Sequence, residues 1–160
     1  MRSYEHFEPI HSLEWAKRTE APHFPNSKKP NAAQRKGLAF EEKCFLDLKR
    51  ILPLQFQILH GPWIEYKDKL EPISKVCQPD FAVIPEDEKE AGIILEAKHT
   101  FRPMAFEKLL HLYLPLAREI WQREFKVIQI CKRLGKYKGP TYQLNQLLEA
   151  PDGAVIHHRL

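Results

Sequence analysis

The segment Gln78-Pro79-Asp80-Phe81-Ala82-Val83-Ile84, and after an acidic interruption Gly92-Ile93-Ile94-Leu95-Glu96-Ala97-Lys98-His99-Thr100, decides the fold. Two β-branched apolar runs, one opened by Pro79 and the two separated by Glu86-Asp87-Glu88-Lys89-Glu90, predict the strands of a hairpin. Side chains alternate along a strand, so Glu96 and Lys98 share one face and Ile93, Leu95 and Ala97 line the other. Asp80 opens the neighbouring strand and is expected to join Glu96 and Lys98. Carboxylates held close together repel, and a divalent cation is the usual means of keeping such a pair ionised.

An acid, any residue and a lysine recur at Glu41/Lys43, Asp47/Lys49, Glu65/Lys67, Asp87/Lys89 and Glu124/Lys126, and Pro-Asp recurs at Pro151-Asp152. Context separates Glu96/Lys98 from these. It closes a continuous apolar strand and follows a Pro-Asp that opens another, whereas Asp87/Lys89 falls in the turn and Pro151 comes after every acid-lysine pair.

Upstream, Asn31-Ala32-Ala33-Gln34 predicts a capping-box helix start, and Pro53 stops the helix near Leu52. At about 100° per residue, Leu38, Cys44, Phe45, Leu48, Ile51 and Leu52 fall on one apolar stripe, with Glu41 in its middle. A carboxylate on a buried face needs a partner, either a salt bridge at the core rim or a metal.

Pro79-Asp80 followed by Glu96-Ala97-Lys98, with a glutamate on a preceding helix, resembles the PD-(D/E)xK nuclease superfamily, which includes restriction-type endonucleases, phage and archaeal Holliday-junction resolvases and recombination exonucleases. The resemblance spans roughly residues 37 to 131. It implies an α/β fold with a restriction-endonuclease-like core, a central mixed β-sheet flanked by helices. An extended N-terminal arm would occupy residues 1–30 and the nuclease domain residues 31–160.

The resemblance further implies that Asp80, Glu96, Glu41 and the Ala97 carbonyl hold Mg²⁺ or Mn²⁺. Lys98 is then the fourth catalytic residue, orienting water and stabilising the transition state. DNA is the implied substrate, and resolvases of this kind act as homodimers because symmetric cutting needs two sites. The exonuclease branch carries a Gln followed by a Tyr on the helix after the Glu-x-Lys strand, and this chain has Tyr113 without that Gln. An endonuclease, on branched DNA or junctions, is therefore the expectation. A non-catalytic nucleic-acid-binding or assembly protein and an RNA-directed nuclease stand beside it.

Composition agrees with one soluble domain. A chain of 160 residues is long enough for a real core, and no apolar run approaches the roughly 20 residues of a membrane span. The first residues lack the apolar core of a secretory signal, so a soluble, intracellular (cytoplasmic) protein is expected. Cys44, Cys77 and Cys131 are not spaced as a zinc site and read as buried thiols. The net charge is only +4, but Arg35 and Lys36, then Lys132, Arg133, Lys136 and Lys138, cluster as a phosphate-backbone surface would.

The remaining elements follow from pattern. Ser12 to Thr19 predicts a short helix. Leu54–His60 and Trp63–Lys67 predict strands paired through Gly61-Pro62, followed by a loop over 68–76. A helix from Pro103 to Ile120 should kink or divide at Pro115. A buried strand is expected over Phe125–Cys131, a helix over 141–149 and an edge strand over 154–158. His99 points to the strand face away from Glu96, outside the expected site.

Overall fold

The computed structural model describes residues 7–23 and 29–159. Parts of the expected arm, including Pro25 and Lys28, lie outside the described residues. The chain is a mixed α/β structure with two sheets. A five-stranded sheet has the order β2 (Phe56–His60), β5 (Phe81–Pro85), β6 (Gly92–Thr100), β7 (Phe125–Arg133), β8 (Ala154–His157). A three-stranded sheet has the order β1 (Leu13–Thr19), β3 (Trp63–Asp68), β4 (Lys75–Cys77).

The predicted hairpin is present. β5 and β6 pair antiparallel with Phe81 opposite Leu95, and β7 then pairs parallel to β6 with Glu96 beside Gln129. Between β6 and β7 runs a helical crossover of α2 (Pro103–Lys108), a π-helical turn (Leu109–Tyr113) and α3 (Leu114–Trp121). Pro115 has no N–H to donate into the preceding turn. The wider turn just before it divides the helix where Pro115 predicts.

Alternation along β6 sends its residues into two different cores. Ile93, Leu95 and Ala97 pack with Phe40, Cys44 and Leu48 of the long helix α1 (Ala32–Ile51). Ile94 packs instead with Leu109, Leu112 and Leu116 of the crossover and with Ile64 and Tyr66 of β3. α1 starts as predicted, with the Asn31 side chain accepting from the Gln34 N–H and the Gln34 side chain accepting from the Asn31 N–H. Within the stripe, Leu38 is exposed and Phe40 takes the buried place.

Four expectations are corrected. Residues 13–19 are a strand, not a helix, because β1 finds a partner in β3 along nearly its whole length, from Leu13 opposite Asp68 to Thr19 opposite Trp63. Pairing of this kind overrides the helix propensity of Glu14, Ala16, Lys17 and Arg18. β2 and β3 are not a hairpin; they belong to different sheets. Gly61, at φ +61°, donates its N–H to the Asp80 carbonyl at 2.7 Å, and its own carbonyl accepts from the Gln78 side chain at 2.9 Å. Those bonds tie the turn to the start of β5 and release β3 toward β1. The 68–76 loop ends in the short strand β4. Residues 141–149 form a single 3-10 turn, Leu144–Gln146. The start of the segment is committed to β8 instead, since Tyr142 donates its N–H to the Val155 carbonyl at 3.0 Å and its own carbonyl accepts from the His157 N–H at 2.9 Å; the carbonyls of Leu147, Leu148 and Ala150 accept from the Lys126 ammonium.

The C-terminal end is fastened to α1 by a buried charge. Asp47 accepts from the His158 ring at 2.7 Å, Lys43 at 3.1 Å and Arg50 at 3.3 Å. Burial pushes the Asp47 carboxyl upward, and the hydrogen bonds from His158 and Lys43 overcome that, leaving its pKa below the ordinary value. Asp47→Ala is expected to cost about 2 kcal/mol in urea unfolding at neutral pH, since it leaves His158 without its acceptor. A folded pKa below the unfolded one gives stability that is present above the ordinary carboxylate range and lost as pH falls through the folded value. The gap between variant and wild type should therefore close in acid.

Candidate active site

Asp80 is set by its backbone. It immediately precedes β5, its carbonyl is held by Gly61, and its Oδ2 accepts from the Ala97 N–H at 2.8 Å. That bond places the carboxylate at β6 one residue beyond Glu96. Asp80 is 0% exposed and Glu96 2% exposed, so both acids are taken from water. They share a hydrogen bond, while the Glu96 Oε2 is buried without any hydrogen-bond partner.

The electrostatics follow from this confinement. Burial first, and then the charge of Asp80 and the hydrogen bond between the two acids, push Glu96 well above the ordinary carboxylate range. The nearby ammonium groups of Lys98 and Lys108 pull in the opposite direction without cancelling it. Glu96 thus keeps its proton over a pH range in which an exposed glutamate is ionised.

Lys98 lies two residues on, on the same strand face as Glu96, as alternation requires. Lys108, at the end of α2, is a site residue that the reading of the sequence missed. Its half-buried ammonium lies 5.4 Å from the centroid of the Tyr113 ring. Tyr113 in turn donates its hydroxyl to the Gln78 carbonyl at 3.3 Å, two residues before Asp80. Burial lowers the Lys108 pKa, opposed by attraction to Glu96 and reinforced by repulsion from Lys98. The available signal was spacing. Ala105, Lys108, Leu109 and Leu112 follow the i, i+3, i+4, i+7 pattern of an inward stripe, and a lysine there needs an acidic partner.

Glu41 is 4% exposed, as expected of a carboxylate in the middle of the α1 stripe. It comes from the α1 side, where the His60 Nε2 lies 2.7 Å from its Oε2. The His60 ring packs against both Phe45, tilted with centroids 4.6 Å apart, and Phe81, stacked at 5.1 Å. The structure thus gathers Asp80, Glu96, Lys98 and Lys108, and holds Glu41 on His60. Among the described residues no group of three or more His, Cys, Asp or Glu side chains is arranged as a metal-binding cluster. The donors still suit a hard cation. Two carboxylates pressed together, one with an oxygen lacking any partner, fit an ion such as Mg²⁺, which is commonly bound through one or two carboxylates and otherwise by water and phosphate.

The basic residues divide by position. Lys36 of α1 and Lys132 and Arg133 of β7 gather around His99, whose pKa is lowered by burial first and then by those three charges. His99 lies on the α1 face, its ring edge-on to Phe40 with centroids 6.3 Å apart, so it stays apart from Glu96 as strand alternation predicts. Arg35 is turned back to the Pro30 carbonyl at 3.1 Å. Lys136 and Lys138 flank Tyr137, which packs on Phe101 at 4.6 Å. The three cysteines are free thiols, with Cys44 and Cys131 buried. Among the described residues no helix is long and apolar enough to cross a membrane.

No protein-family model, curated protein or solved structure matches the chain.

Proposed function

We propose that this chain is a metal-dependent nuclease of the PD-(D/E)xK type that hydrolyses DNA phosphodiester bonds. One observation carries the reading: two buried carboxylates, Asp80 and Glu96, are forced together beside Lys98, and one Glu96 oxygen has no partner. An acid pair of this kind opposes folding unless a cation is meant to enter it. The succession of α1, the antiparallel strands β2, β5 and β6, a helical crossover and the parallel strand β7 supports the same reading.

Asp80, Glu96 and the Ala97 carbonyl are the residues that would hold Mg²⁺ or Mn²⁺. Such an ion, when bound, supplies Lewis-acid chemistry at the phosphate and acidifies water. The Lys98 ammonium orients the attacking water and takes up negative charge growing on the phosphoryl oxygens. Glu41 positions water from the α1 side, with His60 fixing its carboxylate. Lys108 adds a second positive charge facing the acid pair and keeps it tolerable before the ion arrives. An endonuclease acting on branched DNA as a homodimer is the form of this activity we favour.

A non-catalytic nucleic-acid-binding or assembly protein is the second reading, and the basic residues Lys36 and Lys132 on the α1 face beside His99 serve it as well as they serve a nuclease. Incubating the purified chain with Mn²⁺ or Mg²⁺ and supercoiled plasmid, linear duplex, single strand, RNA or a four-way junction separates the two. Nicking of plasmid or junction that stops with EDTA is the expected result. Binding of the same substrates without any cleavage would replace the enzyme with the binder.

A further inference from the structure

Lys17, Lys43, Arg50, Lys67, Lys75 and Arg118 each meet an acid, respectively Glu65, Asp47, Asp47, Glu14, Glu8 and Glu124. Among the described residues, Lys36 and Lys132 have no such partner, and the fold brings both to the α1 face of the sheet beside His99. Unpaired like charges gathered at one place repel, and an anion relieves them.

Their placement is fixed by the sheet. Lys98 pairs with Cys131 and Thr100 with Arg133 across the parallel β6–β7 ladder, which sets His99 and Lys132 side by side on the α1 face. Phe40 meets the His99 ring there, and Lys36 lies one helical turn before Phe40. Arg133 projects to the other face of the same strand end. This is the carboxyl end of two adjacent parallel strands, where open α/β sheets commonly receive ligands. It also adjoins the acid pair: His99 is three residues beyond Glu96, about 10 Å along a strand.

We propose that Lys36, His99 and Lys132 form a phosphate-binding site for the nucleic-acid backbone, holding a phosphate that neighbours the one presented to Asp80 and Glu96. The site rests on the nuclease reading for its class of ligand, but not on catalysis. A strand bound here crosses the end of β6, with its backbone on the α1 face and its reacting phosphate on the α2 side. The lysines supply charge and the imidazole an N–H donor. This gives His99, set apart from the acid pair by strand alternation, a role in substrate binding.

The test is fluorescence anisotropy of a short fluorescein-labelled DNA duplex, with EDTA present so that nothing is cut. Lys36→Ala/Lys132→Ala is compared with the wild type and with Lys17→Ala, whose lysine is already paired on the other sheet. The double variant is expected to bind about tenfold more weakly and to show a log Kd against log salt slope shallower by about two, one for each lost phosphate contact. His99→Ala should lose part of the same affinity. Lys132→Glu, which melts at the wild-type temperature if the site is a surface one, should lose more than either single alanine variant. Unchanged affinity and slope in the double variant, or a loss no greater than in Lys17→Ala, would overturn the site. Displacement of the duplex by inorganic phosphate at equal concentration would overturn it too, by making it a site for the free ion. The two readings fail separately. A wild type that binds duplex through these lysines but cuts nothing with metal refutes the nuclease and keeps the site; a wild type that cuts while the double variant binds normally does the reverse.

Discussion

Glu96→Gln is expected to lower metal-dependent cleavage by about a hundredfold or more while leaving the protein as stable as the wild type or more stable. Activity and stability part company because the two depend on different charge states of one carboxyl. Binding of a cation needs Glu96 ionised, yet burial and Asp80 hold it protonated. Glutamine has nearly the same shape and carries no charge to bury. The pH dependence has a definite sign. A group whose folded pKa lies above its unfolded one contributes stability that is full below the ordinary carboxylate range and is lost as pH rises through the folded value. Metal-free wild type should thus melt at progressively lower temperature as pH climbs through that window, and Glu96→Gln should not share this fall. Adding Mn²⁺ should restore the wild type most at the higher pH, since the ion takes the place of a proton. Thermal melts across pH, with EDTA or Mn²⁺, measure each of these effects.

Lys98→Ala should reduce kcat by roughly 10²- to 10³-fold, the usual cost of removing one preorganised donor to a developing anion. Unlike Glu96→Gln, it should leave Mn²⁺ affinity unchanged or tighter, because a positive charge next to the carboxylates proposed to hold the ion is gone. Duplex binding in EDTA should also persist, since Lys36, His99 and Lys132 are untouched. Single-turnover cleavage at saturating Mn²⁺ reads the first effect and a Mn²⁺ titration reads the second. Equal loss of metal affinity and cleavage would show that Lys98 supports the fold of the site instead of the reaction.

What was legible in the sequence was whatever local rules govern. The capping box at Asn31, the stop at Pro53, the paired runs around Asp80 and Glu96 and the break before Pro115 all came from signals within a few residues, and each appears where those signals place it. The juxtaposition of Asp80 with Glu96 was legible because a hairpin brings its strands together by construction. The errors have a common cause in long-range pairing. Leu13–Thr19 has the composition of a helix and became a strand because β3 offered an edge about fifty residues away. β2 and β3 were separated because Gly61 bonds to Asp80 and Gln78, which no neighbouring residue announces. The 141–149 helix gave way because Tyr142 pairs with β8, about a dozen residues further on. Lys108 was in plain view on an inward stripe, but its partner Glu96 was already committed to Lys98 in the pattern.

If the Asp80–Glu96 pair takes a divalent cation as proposed, calorimetric titration of Mn²⁺ into metal-free protein reads that binding without any substrate. Specific binding by the wild type with release of a proton into the buffer is expected, lost in Asp80→Asn and Glu96→Gln and kept in Lys98→Ala. Absence of specific Mn²⁺ binding by the wild type, or binding that survives in both carboxylate variants, would contradict that role for the pair.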